Sequence, residues 1–401
     1  MTDDSHTPFR ASPAYEAHLA ARARFHVNSG WRRVDYFGSN EDPSFEHLRP
    51  EGEAGEAWST AVVAEHFAVR QRAGLFDLST FGKIEVAGPG AAKFLEWVCA
   101  NRVARGKGRM TYTQLLNDNG GVQCDLTVSQ LEEDLFVMIT NTGVLDHDLS
   151  WLREHARTLE AGSASSVTIT NVTNAWAVFG LWGPLSRDIL QPLVDIPLDN
   201  DAFPFLTVRE ANIAGFSVRL SRVTFVGELG WEVYVPTGYG RWLWGALSQA
   251  VSEAGGLRCG FMAIDTLRAE KGYLYLGDDI RADRTPWESG LGAFVRDDKD
   301  FFGKEAALGR KNSKEVLRSL RIDGTHHALK GGEPLRGPGG LTTQLTSGGV
   351  GYTVESSIGF AFLPVDLPND VTLEVEVDGA SVPAYLATQP LYDPRSERIR
   401  S

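Results

Sequence analysis

The sequence predicts an α+β body followed by a β-rich C-terminal domain, and three observations carry this. Strand-like alternating segments and amphipathic helical segments follow one another from about residue 60 to residue 271. A strand, a Gly-Pro pair and a helix occur in that order twice, at Ile84 to Cys99 and again at Ala175 to Leu193. From Val316 onward the chain offers mainly short strands and Gly-rich turns, ending in Val371 to Val377 and Val382 to Thr388.

Taken in order, Tyr15 to Phe25 has helical spacing, Gly30 to Gly38 is aromatic and basic, and Ser39 to Trp58 reads as loop. Ala61 to Ala73 places Val62, His66, Val69 and Ala73 on one side of a helix. Gly82 to Gly88 alternates as a strand, and Ala91 to Asn101 repeats Phe94, Leu95, Val98 and Cys99 at helical intervals. Met110 to Leu116, Val122 to Leu131 and Leu135 to Asn141 are consecutive strands joined by Asn/Asp/Gly turns, and Leu145 to Leu159 is a helix. Phe216 to Val235 is a hairpin, with helices at Trp242 to Ala254 and Met262 to Lys271. The expected division is an N-terminal extension over 1–60, a body of two α+β subdomains over 61–325 with a boundary near 165, and a C-terminal domain over 326–401. The stretch Thr325 to Gly340 is the expected linker.

Composition narrows the function. Among 401 residues, 39 Lys and Arg against 52 Asp and Glu give a net charge of −13, which repels nucleic-acid backbones and anionic lipid. Hydrophobic residues make up 42% of the chain, enough for substantial cores, so global disorder is excluded. The polar, acidic N-terminus lacks the apolar core of a secretory signal, and no apolar run is long enough to span a membrane. Cys99, Cys124 and Cys259 are few and widely spaced, which favours a reducing compartment and gives no zinc spacing. A cytoplasmic protein without membrane or nucleic-acid partners is the expectation.

Two carboxylates stand in informative places. In the strand after Asn117-Asp118-Asn119-Gly120-Gly121, Val122, Cys124, Leu126 and Val128 share the core face, and Gln123, Asp125 and Thr127 the other. Asp125 therefore lies in a polar stripe beside a hairpin, where an exposed acid is the ordinary case. Glu228 lies in Val226-Gly227-Glu228-Leu229-Gly230 at a hairpin tip, where flanking glycines allow a tight turn and the approach of a planar ligand. A carboxylate held there can accept two parallel N–H bonds from an aminopyrimidine edge, although on pattern alone an exposed turn glutamate is the ordinary case. Asp265 and Arg268 are spaced for an i,i+3 surface pair, and Tyr112 suits a strand aromatic in the core. No phosphate-binding P-loop, nucleophile elbow or zinc-protease motif is present, and Gly88-Pro89-Gly90 does not continue into a dinucleotide fingerprint.

Taken together, the segments resemble the aminomethyltransferase family, best known for the T-protein of the glycine cleavage system. The resemblance covers roughly residues 60–395. It rests on Arg72-Ala73-Gly74-Leu75-Phe76-Asp77-Leu78-Ser79, Met110-Thr111-Tyr112-Thr113-Gln114, Gly120-Gly121-Val122-Gln123-Cys124-Asp125 and Gly227-Glu228-Leu229-Gly230-Trp231-Glu232. Leu267-Arg268-Ala269-Glu270-Lys271-Gly272-Tyr273, Thr285-Pro286-Trp287-Glu288, Phe302-Gly303-Lys304-Glu305 and Pro390-Leu391-Tyr392-Asp393-Pro394 extend it. It is closer still to the folate-binding C-terminal half of dimethylglycine and sarcosine dehydrogenases, whose preceding segment is similar to Gly30-Trp31-Arg32-Arg33.

The resemblance implies a three-domain cloverleaf around a central folate-binding hole, with tetrahydrofolate as cofactor. It implies Asp125 at the reactive end, Glu228 on the pterin edge, and Tyr112 and Arg268 near the same site. Carbon transfer between an amine and folate moves protons and passes through a cationic iminium, which a desolvated carboxylate can stabilise. Two departures stand out. Cys124-Asp125 replaces the tandem aspartates usual in the T-protein, and the flavin domain of the dehydrogenases is missing. The expected activity is therefore transfer of a methyl or methylene group from a small methylated metabolite. The carbon comes either from a separate flavin oxidase or dehydrogenase subunit or by direct demethylation. O- or S-demethylation is the enzymatic alternative. A non-catalytic folate-binding assembly factor is the other, although Lys271-Gly272-Tyr273 lacks the cysteine of that group.

Overall fold

The computed structural model describes residues 9–56, 58–160 and 166–401. Its centre is a six-stranded sheet in the order Val208–Ile213, Phe216–Ser221, Gly230–Pro236, Trp176–Trp182, Gly74–Asp77 and Leu257–Cys259. All neighbours are antiparallel except the last pair, which the chain reaches only after a long excursion, as parallel pairing requires. The helix Gly240–Glu253 lays Leu243, Trp244, Leu247 and Val251 on this sheet, where they join Phe179, Leu181, Trp231 and Val233 in one core.

A five-stranded antiparallel sheet runs Arg109–Leu116, Val122–Glu132, Leu135–Thr140, Gly82–Ala87 and Thr168–Asn171. The helices Ala91–Val98 and Leu145–Glu160 cover one face through Phe94, Leu95, Val98, Leu149 and Leu152. The two strand, Gly-Pro, helix segments seen in the sequence fall one in each sheet. Gly88 (φ +114°) and Gly183 (φ +137°) make the turn before each proline, a conformation that favours glycine.

Seven strands form the C-terminal sheet, in the order Thr342–Gln344, Pro334–Arg336, Thr372–Val377, Ala380–Ala387, Glu315–Asp323, Ser356–Pro364 and Ser347–Gly351. Leu320, Leu335, Leu363, Leu373 and Val375 fill its core. The stretch expected as a linker therefore carries a strand, Pro334–Arg336, and buries Leu329 and Leu335. A three-residue strand with one apolar side chain between Gly and Pro leaves almost no periodic signal. The first helix also ends earlier than its spacing suggests, at Ala20. Ala23–Asn28 instead pairs with Trp31–Phe37 through a turn at Ser29 and Gly30, both at positive φ. Among the described residues no helix is long and apolar enough to cross a membrane.

Candidate functional site

Asp125 sits where the two-residue period of its strand puts it, opposite Gln114 of the neighbouring strand. The burial of Val122–Glu132 alternates in the expected sense around it, with Cys124 and Leu126 in the core. The preceding turn is held by the Asn117 side-chain oxygen, which accepts from the backbone N–H of Asn119 and Gly121. Gly120 (φ +74°) lets this turn press on the helix Lys304–Gly309, since a Cβ there would lie 2.3 Å from the Ala307 nitrogen. Asp125 is not the freely solvated acid its pattern permits. Gln114 Nε2 donates to its Oδ1 at 3.0 Å, and the Tyr112 hydroxyl donates to it as well. Burial dominates those two bonds and pushes the Asp125 carboxyl up to about 6. Burial and the adjoining carboxylate raise the Tyr112 hydroxyl well above its ordinary range, so it remains a donor.

Glu228 lies in the eight-residue connection Arg222–Leu229 and is 1% exposed, so it is no open turn residue. Its Oε1 accepts from Arg70 Nη1 at 3.1 Å and from the Tyr392 hydroxyl at 2.5 Å. Its Oε2 is buried with no hydrogen-bond partner among the described residues. Burial raises the Glu228 carboxyl, while Arg70 and Tyr392 oppose the rise. Arg70 is the hub of the cluster. It donates to Glu270 Oε2 from Nε and Nη2, to Val226 and Leu267 carbonyls, and to Glu228, and its guanidinium lies 3.8 Å over the Tyr392 ring. Glu270 also faces His66 at 3.3 Å and accepts from the Thr353 N–H at 2.7 Å. Desolvation would raise Glu270, but His66 and Arg70 outweigh it and bring the carboxyl down to about 2.

Arg268 is 2% exposed, and the surface pair with Asp265 does not form. Its Nη1 is shared among the Tyr273 carbonyl, Asp279 and Ser347, and its guanidinium lies 4.0 Å over the Tyr275 ring. Asp265 instead accepts from the Tyr275 hydroxyl. Tyr275 lies 6.0 Å from Phe225, which stacks on Tyr273 at 5.7 Å, and Tyr273 acts on the Tyr112 hydroxyl electrostatically, through space. One aromatic row thus runs from Arg268 through Tyr275 and Phe225 to Tyr273. Tyr273 also lies within electrostatic reach of Arg70, the guanidinium that holds Glu228.

Arg70, Gln114 and Tyr392 are not singled out by the sequence as site residues, although Gln114 and Tyr392 lie in segments that carry the resemblance. The signal for Arg70 was present: it follows His66 by four residues on a helix face that the spacing marks as buried. Cys124, His147 and Asp148 also lie together, but Cys124 and Thr140 both donate to Asp148, and burial raises the thiol well above its usual range. That cluster is satisfied as hydrogen bonds behind the strand. A separate open cleft of about 480 Å³, lined by Arg281, Arg284, Glu315, Lys330 and Phe362 among others, includes none of Asp125, Glu228, Tyr112 or Arg268.

A family profile described as the GCVT N-terminal domain matches residues 14–299, and one described as the glycine cleavage T-protein C-terminal barrel domain matches 316–393. An aminomethyltransferase of Deinococcus deserti is 32% identical over 398 residues, covering 98% of this chain and 99% of the relative. Mitochondrial dimethylglycine dehydrogenase of Mus musculus is also 32% identical, over 98% of this chain but 44% of the relative, so the chain spans about half the length of that enzyme. The crystal structure of the glycine cleavage system aminomethyltransferase T from Bartonella henselae superposes with a TM-score of 0.80 at 25% identity, covering 96% of this chain and 99% of that one. Fold, element order and sequence agree, and the chain belongs to the aminomethyltransferase family of the glycine cleavage T-protein.

Proposed function

We propose that this protein is a tetrahydrofolate-dependent one-carbon transferase, taking a methyl or methylene group from a small methylated amine. The observation that carries this reading is the pair of prepared carboxylates. Glu228 offers a buried oxygen with no partner among the described residues, and Asp125 has a carboxyl raised to about 6 beside Tyr112. The site's residues fit a pterin. A buried unpaired acceptor costs free energy unless a ligand donor reaches it, and an aminopyrimidine edge supplies such N–H groups. Bound tetrahydrofolate would supply the nitrogen that accepts the carbon.

The chain's own groups do the rest. Glu228, locked by Arg70 and Tyr392, orients the pterin edge. Tyr112 and the wall that Arg268 braces through Tyr273 and Tyr275 shape the site and exclude water. Asp125, ionised near neutral pH yet poorly solvated, stabilises developing positive charge on the amine and can take a proton at a carboxyl oxygen. The formaldehyde-forming 4-methylaminobutanoate oxidase of Paenarthrobacter nicotinovorans is 31% identical over 98% of this chain and 47% of that relative. Together with dimethylglycine dehydrogenase it supports an N-methylated amino acid as the carbon source, with a separate flavin oxidase subunit as the partner that would supply it.

Replacing Glu228 by Gln keeps one acceptor oxygen but loses the charge. Calorimetric titration should show tetrahydrofolate affinity weakened by about 1.5–3 kcal/mol. Affinity equal to the parent's would mean that the pterin is held elsewhere.

A further inference from the structure

Lys271 ends the helix Phe261–Lys271 and is 3% exposed, a place an ammonium takes only when its charge is paired. Its Nζ donates to the Asp393 carbonyl at 2.5 Å, to Asp393 Oδ2 at 3.0 Å and to Ser396 Oγ at 3.2 Å. Each of its three protons thus has an acceptor in one turn of the C-terminal segment. Asp393 (φ +44°) and Ser396 (φ +56°) are both left-handed there. The Asp393 carboxylate ties the turn by accepting from the backbone N–H of Glu397 and Arg398.

Both flanks of Glu228 meet this lysine. Tyr392, whose hydroxyl donates to Glu228 Oε1, immediately precedes Asp393, and its own N–H donates to the carbonyl of Glu270, the residue before Lys271. Gly227 (φ +82°) immediately precedes Glu228 and rests on the lysine stem, since a Cβ there would lie 2.9 Å from Lys271 Cγ and Cδ. The two segments meet again farther along, where Arg222 Nη2 donates to the Ser401 carbonyl at 3.0 Å. Arg222 is the first residue of the connection that carries Glu228.

An ion pair whose side chains are 2% and 8% exposed recovers little net stability, because both charges give up their hydration. What it supplies is direction. We infer that Lys271, paired with Asp393, is a positioning residue for the Glu228 carboxylate, seating Gly227 on its stem and fixing Tyr392 through its ammonium. This inference rests on the function proposed above, in which Glu228 takes the pterin edge, and it adds a residue that acts only through Glu228. A carboxylate free to swing loses the alignment that a two-bond contact with a planar ligand requires.

The test is a double-mutant cycle. Tetrahydrofolate is titrated calorimetrically into the parent, Lys271→Met, Glu228→Gln and the double variant. Met keeps most of the stem against Gly227 and removes the ammonium. It should weaken tetrahydrofolate binding about tenfold in the parent background and less than about threefold in the Glu228→Gln background, since a residue acting through Glu228 loses its effect with it. A purely structural lysine would lower Tm alike in both backgrounds. Binding that is unchanged, or weakened by the same factor in both, would overturn the inference. Should Lys271→Met fail to fold, Asp393→Asn takes its place, since Asn tolerates the left-handed backbone and keeps an acceptor for the ammonium without its charge. About fivefold weaker binding is then expected in the parent background and less than about twofold in the Glu228→Gln background. A parent that does not bind tetrahydrofolate refutes the proposed function itself. A parent that binds, with independent effects of the two substitutions, refutes only the role of Lys271.

Discussion

Asp125→Asn should lower single-turnover carbon transfer by about 10²–10⁴ while tetrahydrofolate affinity changes little. Asn fills the same space and keeps a partner for Gln114, but it can neither carry negative charge nor take a proton. The pH dependence separates this role from a structural one. The Asp125 carboxyl is raised to about 6 in the folded protein, so turnover that needs it ionised should fall away as pH drops through about 6. Stability moves the other way. Because the folded pKa exceeds the unfolded one, the native state binds more protons between about pH 4 and 6, and stability declines as pH rises through that window. Asp125→Asn removes the cost of the buried charge. It should melt above the parent at pH 8, by up to about 1–3 kcal/mol, and close to it at pH 4. Parent-like single-turnover rates in this variant would refute the catalytic role.

Arg70→Met is expected to be the most destabilising single change at this site. The side chain is 3% exposed and spends its donors on two buried carboxylates and two carbonyls. Met roughly keeps the length but leaves Glu228 and Glu270 without that counter-charge, a loss of about 3–5 kcal/mol. Glu270, held down at about 2, contributes stability above the ordinary glutamate range that is lost as pH falls toward 2. The variant forfeits much of this contribution, so its deficit should be larger at pH 7 than at pH 4. Urea unfolding at the two pH values checks both the size and the sign. A midpoint equal to the parent's at pH 7 would show that the guanidinium does not hold this cluster together.

Much of the architecture was legible because period and turn chemistry agree with the tertiary fold. Val122 to Val128 alternates cleanly, and its neighbours Met110–Leu116 and Leu135–Thr140 are joined to it by short polar turns. The segments that misled are those where few apolar residues report the state. Pro334–Arg336 hides its single buried leucine among Gly and Pro, and the first residues of Ala23–Asn28, as far as Phe25, fall in a helical spacing because Ala and Arg favour helices. The site was legible in part. A residue pattern marks Asp125 and Glu228 as placed acids, but it does not reveal whether water reaches them. That depends on partners more than 150 residues away along the chain, such as Arg70 and Tyr392 around Glu228. Arg268 shows the converse. Local spacing offered Asp265 as its partner, and tertiary packing gave it Asp279, Ser347 and the Tyr275 ring instead.

The most direct measurement is a calorimetric titration of the isolated protein with tetrahydrofolate, followed by thermal melting of the mixture. A Kd on the order of micromolar is expected for a cofactor-sized ligand at the site proposed around Glu228, Arg70 and Tyr392, with a matching rise in Tm. No heat and no thermal shift at millimolar tetrahydrofolate would contradict the account at its root.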